Sequence, residues 1–415
     1  MPPSDAARPA APSELDREVV DAVIGLRSAY VDLLADIPRN DAGAIGVERA
    51  LGISKKLAWQ VYRVATAEDP VAAGARVPGR AATRQLLAAA SRAGVEAAVI
   101  DRVSAATEGF HGVVEEFADD RSTFDLMVRS VTGDGLATHD AELKRTAYRA
   151  NRELAGRCCD VDVFTLLVHP GDAPGTMDFC SLRGLVGLRR LRPEVPLVVS
   201  RHRFDRGEGH VQPREAVFPE PGEGLPSGLV RPFCSEPLPA IEQHTGRDGY
   251  TRFIAQTSSL GPRSAVTCFL ADRTRNLPVR SPDGAAAIGH IHEIATPARV
   301  LYQDMLVHER LLHEAAHGPI EPQLRILARR PEEIAWPGDD VGVQLPLRER
   351  TIRSASATKV LGVAELGRYR DLVAHVAGGL GWDLDRFVLL RTRVEHPVLH
   401  SLVWMRVDLE GRTGD

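Results

Sequence analysis

Near Arg157 the periodicity of this sequence changes, and that change limits what the chain can fold into. Before it, apolar residues recur three and four apart: Leu15, Val19, Val20, Val23, Ile24, Tyr30, Leu33 and Leu34 mark the stripe of an amphipathic helix. Ser13 stands ahead of the run as an N-cap, and Pro38 with Asn40 ends it. The same reading predicts a helix pair at 43–66 and helices near 81–92, 95–117, 121–131 and 138–155, in a stretch where alanine favours helix. After Arg157, short β-branched runs alternate with turns rich in Gly, Pro and Asp. Strands are predicted over 161–168, 177–185, 196–203, 251–256, 265–270, 322–327, 387–394 and 402–409, with one late helix at 364–379 before Gly381-Trp382. The fold class expected is α+β: an all-helical N-terminal domain over 14–156, then a larger, mainly antiparallel strand-rich domain over 157–415. Residues 1–13, rich in Ala and Pro, read as a disordered tail.

Composition narrows the function classes. A formal net charge of -5 argues against a wholesale polyanion binder, so any nucleic-acid contact must come from a local basic patch. No run of about 18 apolar residues occurs, so no membrane span is expected. The start lacks the basic segment and apolar run of a signal peptide. The five cysteines (Cys158, Cys159, Cys180, Cys234 and Cys268) form no CxxC pair and are odd in number. That pattern fits reduced thiols in a cytoplasm. Adjacent Cys158 and Cys159 are a conceivable redox pair, but nothing near them resembles a redox motif.

One segment carries a specific local logic. In Gly46-Val-Glu-Arg-Ala-Leu-Gly-Ile-Ser-Lys-Lys-Leu-Ala-Trp-Gln-Val-Tyr-Arg-Val, a first helix ends at Leu51. Gly52 permits the positive φ of a tight turn, Ile53 pins the turn to the core, and Ser54 caps the next helix. Ala58 and Val61 give that helix a buried face. This pattern resembles a bacterial helix-turn-helix over residues 44–64. It departs from the family pattern at Glu48, where a small residue is usual, and it leaves Trp59 either outward or in the core. The resemblance implies that Ser54, Lys55, Lys56, Gln60 and Arg63 face DNA. Residues 44–64 carry Arg49, Lys55, Lys56 and Arg63 against Glu48, whereas residues 1–156 hold 19 Lys and Arg against 23 Asp and Glu. Affinity for DNA depends on phosphate neutralisation, so dimerisation or help from elsewhere in the chain is required. Lys144, Arg145, Arg149 and Arg152, and Arg183, Arg189, Arg190 and Arg192, are the further basic stretches; a solvated face with internal ion pairs is the preferred reading of both.

Two histidine patterns invite a metal. His313-Glu-Ala-Ala-His317 matches HExxH, in which two histidines bind zinc and the glutamate, here Glu314, activates water. Gly318-Pro319 ends that helix at once, and Glu321, Glu332 and Glu333, the available third ligands, lack a framing motif. His290-Ile-His292 on a strand would place two imidazoles on one face, as cupin-like sites do, with Gly284 at the family's distance; yet Glu293 follows immediately and no partner motif is visible downstream. No GxSxG elbow, GxxxxGK[ST] loop or Rossmann glycine pattern is present.

The expectation is therefore a cytoplasmic, self-associating DNA-binding transcriptional regulator. Its second domain senses a ligand or mediates assembly, and it has no cofactor and no membrane partner. The alternatives are a zinc-dependent hydrolase centred on His313, Glu314 and His317, and a non-enzymatic structural or assembly protein.

Overall fold

The computed structural model describes residues 14–38, 43–67, 73–74, 76–118, 120–132, 136–203, 214–219, 225–247, 250–280, 286–313, 322–328, 344–347, 349–354, 357 and 361–409. The tail at 1–13 lies outside them. The protein is α+β, with helices first and a strand-rich, mostly antiparallel region after them. It divides into two compact units, residues 1–139 and 140–415. The division falls inside a helix, ahead of the change of texture at Arg157.

The first unit contains α1 (Glu14–Asp36), α2 (Gly43–Leu51), α3 (Lys55–Ala65), α4 (Arg80–Arg92), α5 (Ala97–Phe117) and α6 (Arg121–Thr132), and it ends in the first residues of α7 (Leu136–Ala155). In α1 the residues Val23, Leu26, Tyr30 and Leu33, and Ile37 just beyond its end, are buried, spaced three and four apart, while Ile24 and Val31 face outward. That stripe packs along α5 and reaches α3, where Val61 and Val64 are fully buried. Burying a side chain of this size contributes about 1.5–3 kcal/mol, which is why the stripe rather than helix propensity holds these short helices in place. Phe110 of α5 meets the Phe124 ring edge-on at 5.4 Å. Arg121 clamps the start of α6, bonding Asp125 at 2.7 Å and the Gly74 carbonyl at 2.9 Å.

In the second unit a seven-stranded sheet is built from β1 (Arg157–Pro170), β2 (Thr176–Arg190), β4 (Arg214–Ala216), β7 (Val266–Pro278), β9 (Ala298–His308), β11 (Thr351–Ser354) and β12 (Phe387–Glu395). Its order is β11-β12-β9-β1-β2-β7-β4, and β1 runs parallel to β9 while the other pairs are antiparallel. A second sheet, β10-β13-β8, joins Gln323–Leu327, Leu402–Asp408 and Ala287–Glu293. A third, β3-β6-β5, joins Leu197–Arg203, Tyr250–Ala255 and Ile241–Thr245.

The large sheet is covered on both faces. On one, α9 (Tyr369–Leu380) lays Leu372, Val373, Val376 and Ala377 against Val161, Val163, Leu167, Leu182 and Leu306. On the other, Ile288, Met405 and Val407 pack on Phe164, Leu166, Val168, Met305 and Val307. A strand covered twice need not alternate, so residues 161–168 of β1 are buried without a break. The close packing shows at Gly184, where an added Cβ would fall 2.0 Å from the Phe269 ring. The late helix starts at Tyr369, not near 364. Residues 363–369 are held in successive turns, Leu366 N donating to Val363 O at 3.3 Å and Tyr369 N to Leu366 O at 3.0 Å.

Candidate nucleic-acid interface

The hairpin of α2 and α3 is built from local chemistry. α2 ends at Leu51 and the backbone turns at Gly52, whose φ of 64° is one that side-chain-bearing residues rarely adopt. Gly52 N still donates to Glu48 O at 2.9 Å, closing the last turn of α2. Ile53 packs against the helical core. Ser54 is extended, and its hydroxyl accepts from Leu57 N at 3.3 Å, satisfying one of the free donors that every helix start leaves. Leu57, Ala58, Val61, Val64 and Ala65 then form the buried side of α3.

The opposite side is a stripe of Lys56, Trp59, Gln60 and Arg63, spaced three and four apart, with Lys55 beside it. Lys55, Lys56 and Arg63 are exposed, Gln60 is half-buried, and Trp59 keeps 47% of its surface in solvent. Trp59 is thus an outward residue, and the stripe with Lys55 beside it combines three cations with one flat aromatic face. Glu48 is half-buried, whereas Gly46 and Val47 occupy the buried positions of α2, so the glutamate does not crowd the hairpin interior.

The same unit has a groove of about 810 Å³ lined by Arg80, His111, Glu115, Asp120 and Arg121, among others. Its charges are mostly spent internally, since Arg80 pairs with Glu108 at 3.3 Å and with Glu115. His111 is buried, its Nε2 meets no hydrogen-bond partner among the described residues, and burial lowers its pKa with help from Arg80 and Arg121.

In the second unit each of the further basic stretches has a member held in an ion pair, while Arg145, Arg149 and Arg192 are exposed. Lys144 pairs with Glu349, and Arg189 grips Asp160 through two bonds of 2.8 and 3.0 Å. Arg183 is not part of a solvated face: it lies over the Phe164 ring at 5.5 Å, and burial lowers its pKa to about 10. The sequence pattern failed there because both faces of β2 are covered in part, and a long side chain can lie flat on an aromatic ring.

His290 and His292 lie on one face of β8, as their spacing requires, and both approach Phe164. Gln303 donates its amide to His290 Nε2 at 2.8 Å and to Val403 O at 3.2 Å. His290 Nε2 is therefore the acceptor, and Nδ1 carries the proton. Burial holds the His290 pKa at about 3, with His292 and Arg183 adding to the effect. His292 Nε2 sits 3.1 Å from Asp162 Oδ2, off hydrogen-bonding geometry. Glu293 turns away to Arg201. These contacts are pairwise, and among the described residues no group of three or more His, Cys, Asp or Glu is placed to hold a metal ion. Of the HExxH motif, His313 ends a short helix, α8 (Glu309–His313); Glu314 and His317 lie outside the described residues, as do Glu321, Glu332, Glu333 and Gly284.

A polar centre that the sequence did not announce lies under α9. Asp304 of β9 is fully buried and receives Arg391 through Nε at 2.9 Å and Nη2 at 2.6 Å. Tyr369 donates its hydroxyl to Asp304 Oδ2 at 2.7 Å and meets Thr165 Oγ1 at 2.6 Å. Arg391 also donates to the carbonyls of Leu361 at 3.2 Å and Gly362 at 3.4 Å. Sheet, helix and the segment before the helix are pinned at one point. This arrangement is structural: the Asp304 carboxylate and the Arg391 guanidinium are spent on partners within the protein.

No family model and no curated protein matches the chain. A solved structure described as "a putative protease" from Parabacteroides distasonis aligns at 8% identity over 60% of this chain and 40% of that one, with a TM-score of 0.24. A likeness that low carries no argument about fold or activity. No helix among the described residues is long and apolar enough to cross a membrane.

Proposed function

We propose that the protein is a DNA-binding regulator of the helix-turn-helix kind, with α3 as the helix presented to the duplex. The observation that carries the reading is the outer stripe of α3: Lys56, Trp59, Gln60 and Arg63 in line, opposite a fully apolar inner side and behind a capped start at Ser54. Lys55, Lys56 and Arg63 neutralise phosphates; Gln60 and Trp59 are the residues able to meet base edges or sugars. Three cations per copy predict a salt slope near about -3, and two copies on one site roughly double it. The second unit supplies self-association or ligand sensing in this reading, and the protein works in the cytoplasm.

The test is a shift assay on a pool of random duplexes at low salt, followed by selection of the bound fraction. The double change Lys55→Glu and Lys56→Glu should abolish retention while the circular dichroism of the folded chain is unchanged. Equal binding by the double variant and the parent would rule the assignment out.

A further inference from the structure

The five cysteines are not equivalent. Cys158, Cys159, Cys180 and Cys268 are buried, whereas Cys234 is half-exposed. Cys158 and Cys159 are neighbours on β1, so their side chains leave opposite faces of the sheet and do not meet as a pair. Cys234 is different. It follows a short turn, Arg231–Phe233, that runs beside β7. Val230 N donates to Phe269 O at 2.8 Å and Ser235 N donates to Thr267 O at 2.8 Å, so the two stretches are fastened on either side of Cys234 and Cys268. The Ser235 hydroxyl adds a third tie by accepting from Thr267 N at 2.7 Å. These bonds hold residues 230–235 alongside 267–269, which brings Cys234 next to the strand segment that carries Cys268.

The sulfur environment is asymmetric. Cys234 Sγ accepts from Phe269 N at 3.5 Å and packs against the cluster that holds Cys268. Cys234 Sγ also lies 3.4 Å from Val230 O, to which its thiol donates. The neighbouring Cys268 side chain, the Phe269 N–H and Arg231 draw the Cys234 pKa down against the opposing effect of burial. The same contact and complete burial push Cys268 up. Cys234 is thus the more exposed and the more acidic of the two thiols, and its neighbour is enclosed and less acidic.

We propose that Cys234 and Cys268 form a peroxide-oxidised modification site that closes to a disulfide. The oxidant is a hydroperoxide of small size. The Cys234 thiolate attacks the terminal peroxide oxygen; the O–O bond breaks, an alcohol or water leaves after taking up a proton, and Cys234 becomes a sulfenic acid. The Cys268 sulfur then attacks the Cys234 sulfur, the S–O bond breaks, and the Cys268 proton leaves with the hydroxide as water. Two thiols and one hydroperoxide give one disulfide, one alcohol or water from the peroxide, and one further water. The bond would lock the 231–235 turn to β7, and through it the contacts that this turn makes with α9 and the residue before it: Phe233 against His375 at 5.5 Å and Arg368 over the Phe233 ring at 4.5 Å.

The site is independent of the DNA reading. The test uses the full chain, fully reduced, exposed to one equivalent of hydrogen peroxide at neutral pH. It is then alkylated under denaturing conditions and weighed intact. The expected product carries three alkyl groups rather than five, returns to five after dithiothreitol, and yields one cross-linked peptide pair joining Cys234 to Cys268. With Cys268→Ala the reaction should stop at a sulfenic acid on Cys234 that a dimedone probe captures; with Cys234→Ser neither product should form. Oxidation that begins at Cys158, Cys159 or Cys180, or a cross-link that excludes Cys234, would overturn the proposal. The unmutated chain alone decides this, so a variant that fails to fold does not shelter the idea.

Discussion

The buried pair of Asp304 and Arg391 gives the sharpest energetic expectation. Arg391→Met keeps most of the side-chain volume but removes both charge-assisted bonds to Asp304, at 2.9 and 2.6 Å, and the donations to Leu361 O and Gly362 O. Asp304, with no surface in solvent, is then left with the Tyr369 hydroxyl among the described residues. Stranding one partner of a buried ion pair costs about 3–5 kcal/mol, much of it desolvation that nothing offsets. Asp304→Leu strands the guanidinium instead and should cost a similar amount. The double variant removes both charges, so its loss should be smaller than either single loss, giving a coupling of at least about 3 kcal/mol. Urea unfolding followed by tryptophan emission suits the measurement, because Trp382 and Trp404 are both buried in the second unit at 8% and 2% exposure. The urea slope should stay constant across the cycle. Loss under about 1 kcal/mol for Arg391→Met, or a double variant as unstable as the sum of the singles, would refute the reasoning.

Other expectations follow from neighbouring features. Tyr369→Phe deletes one bond to Asp304 and one to Thr165, and should lower stability by about 1–3 kcal/mol without moving the position of α9 in a crystal structure. His290 has a folded pKa of about 3 while its unfolded imidazole titrates near 6.5. The unfolded state therefore holds more protons between those values: stability is undiminished above pH 6.5 and falls by about 1.4 kcal/mol per pH unit below it, until about pH 3. His308, lowered to about 4 chiefly by burial, adds to the same slope down to that value. Urea midpoints compared at pH 7 and 5 should show the fall, and His290→Phe should reduce it, leaving the part that His308 contributes. Gly52→Ala places a side chain at φ 64° and should cost about 1 kcal/mol, read as a lowered melting temperature of the helical unit.

The sequence was most legible where one side of an element is wet. α1, α3 and α5 could be traced from three- and four-residue spacing because their outer faces remain polar, and the Ser54 cap and the Gly52 turn follow from residue chemistry alone. β9 was missed for the converse reason. It lies between β1 and β12 and is covered on both faces, so it has no alternation to display, and its run is interrupted by Gln303 and Asp304, both fully buried. Two polar residues in mid-strand look like a break until their partners, His290 and Arg391, are known, and those arrive from β8 and β12. The Cys234 and Cys268 pair was equally hidden. Nothing in their separation along the chain places one opposite the other; the hydrogen bonds flanking them do.

The position of β9 also says something about the order in which this protein must be assembled. β1 and β2 are adjacent in the chain and can zip as soon as they leave the ribosome, but the other edge of β1 is filled by a strand that begins at Ala298. Until that segment is synthesised, the nascent hairpin presents a row of open amides and carbonyls flanked by Phe164, Leu166 and Leu167, the kind of edge that recruits a stranger's strand. Such long-range pairing makes for slow folding. Cells overproducing this chain should therefore lose it to inclusion bodies at the stage when β1 waits for its partner, and slower translation through residues 190–298 should make that loss worse, not better.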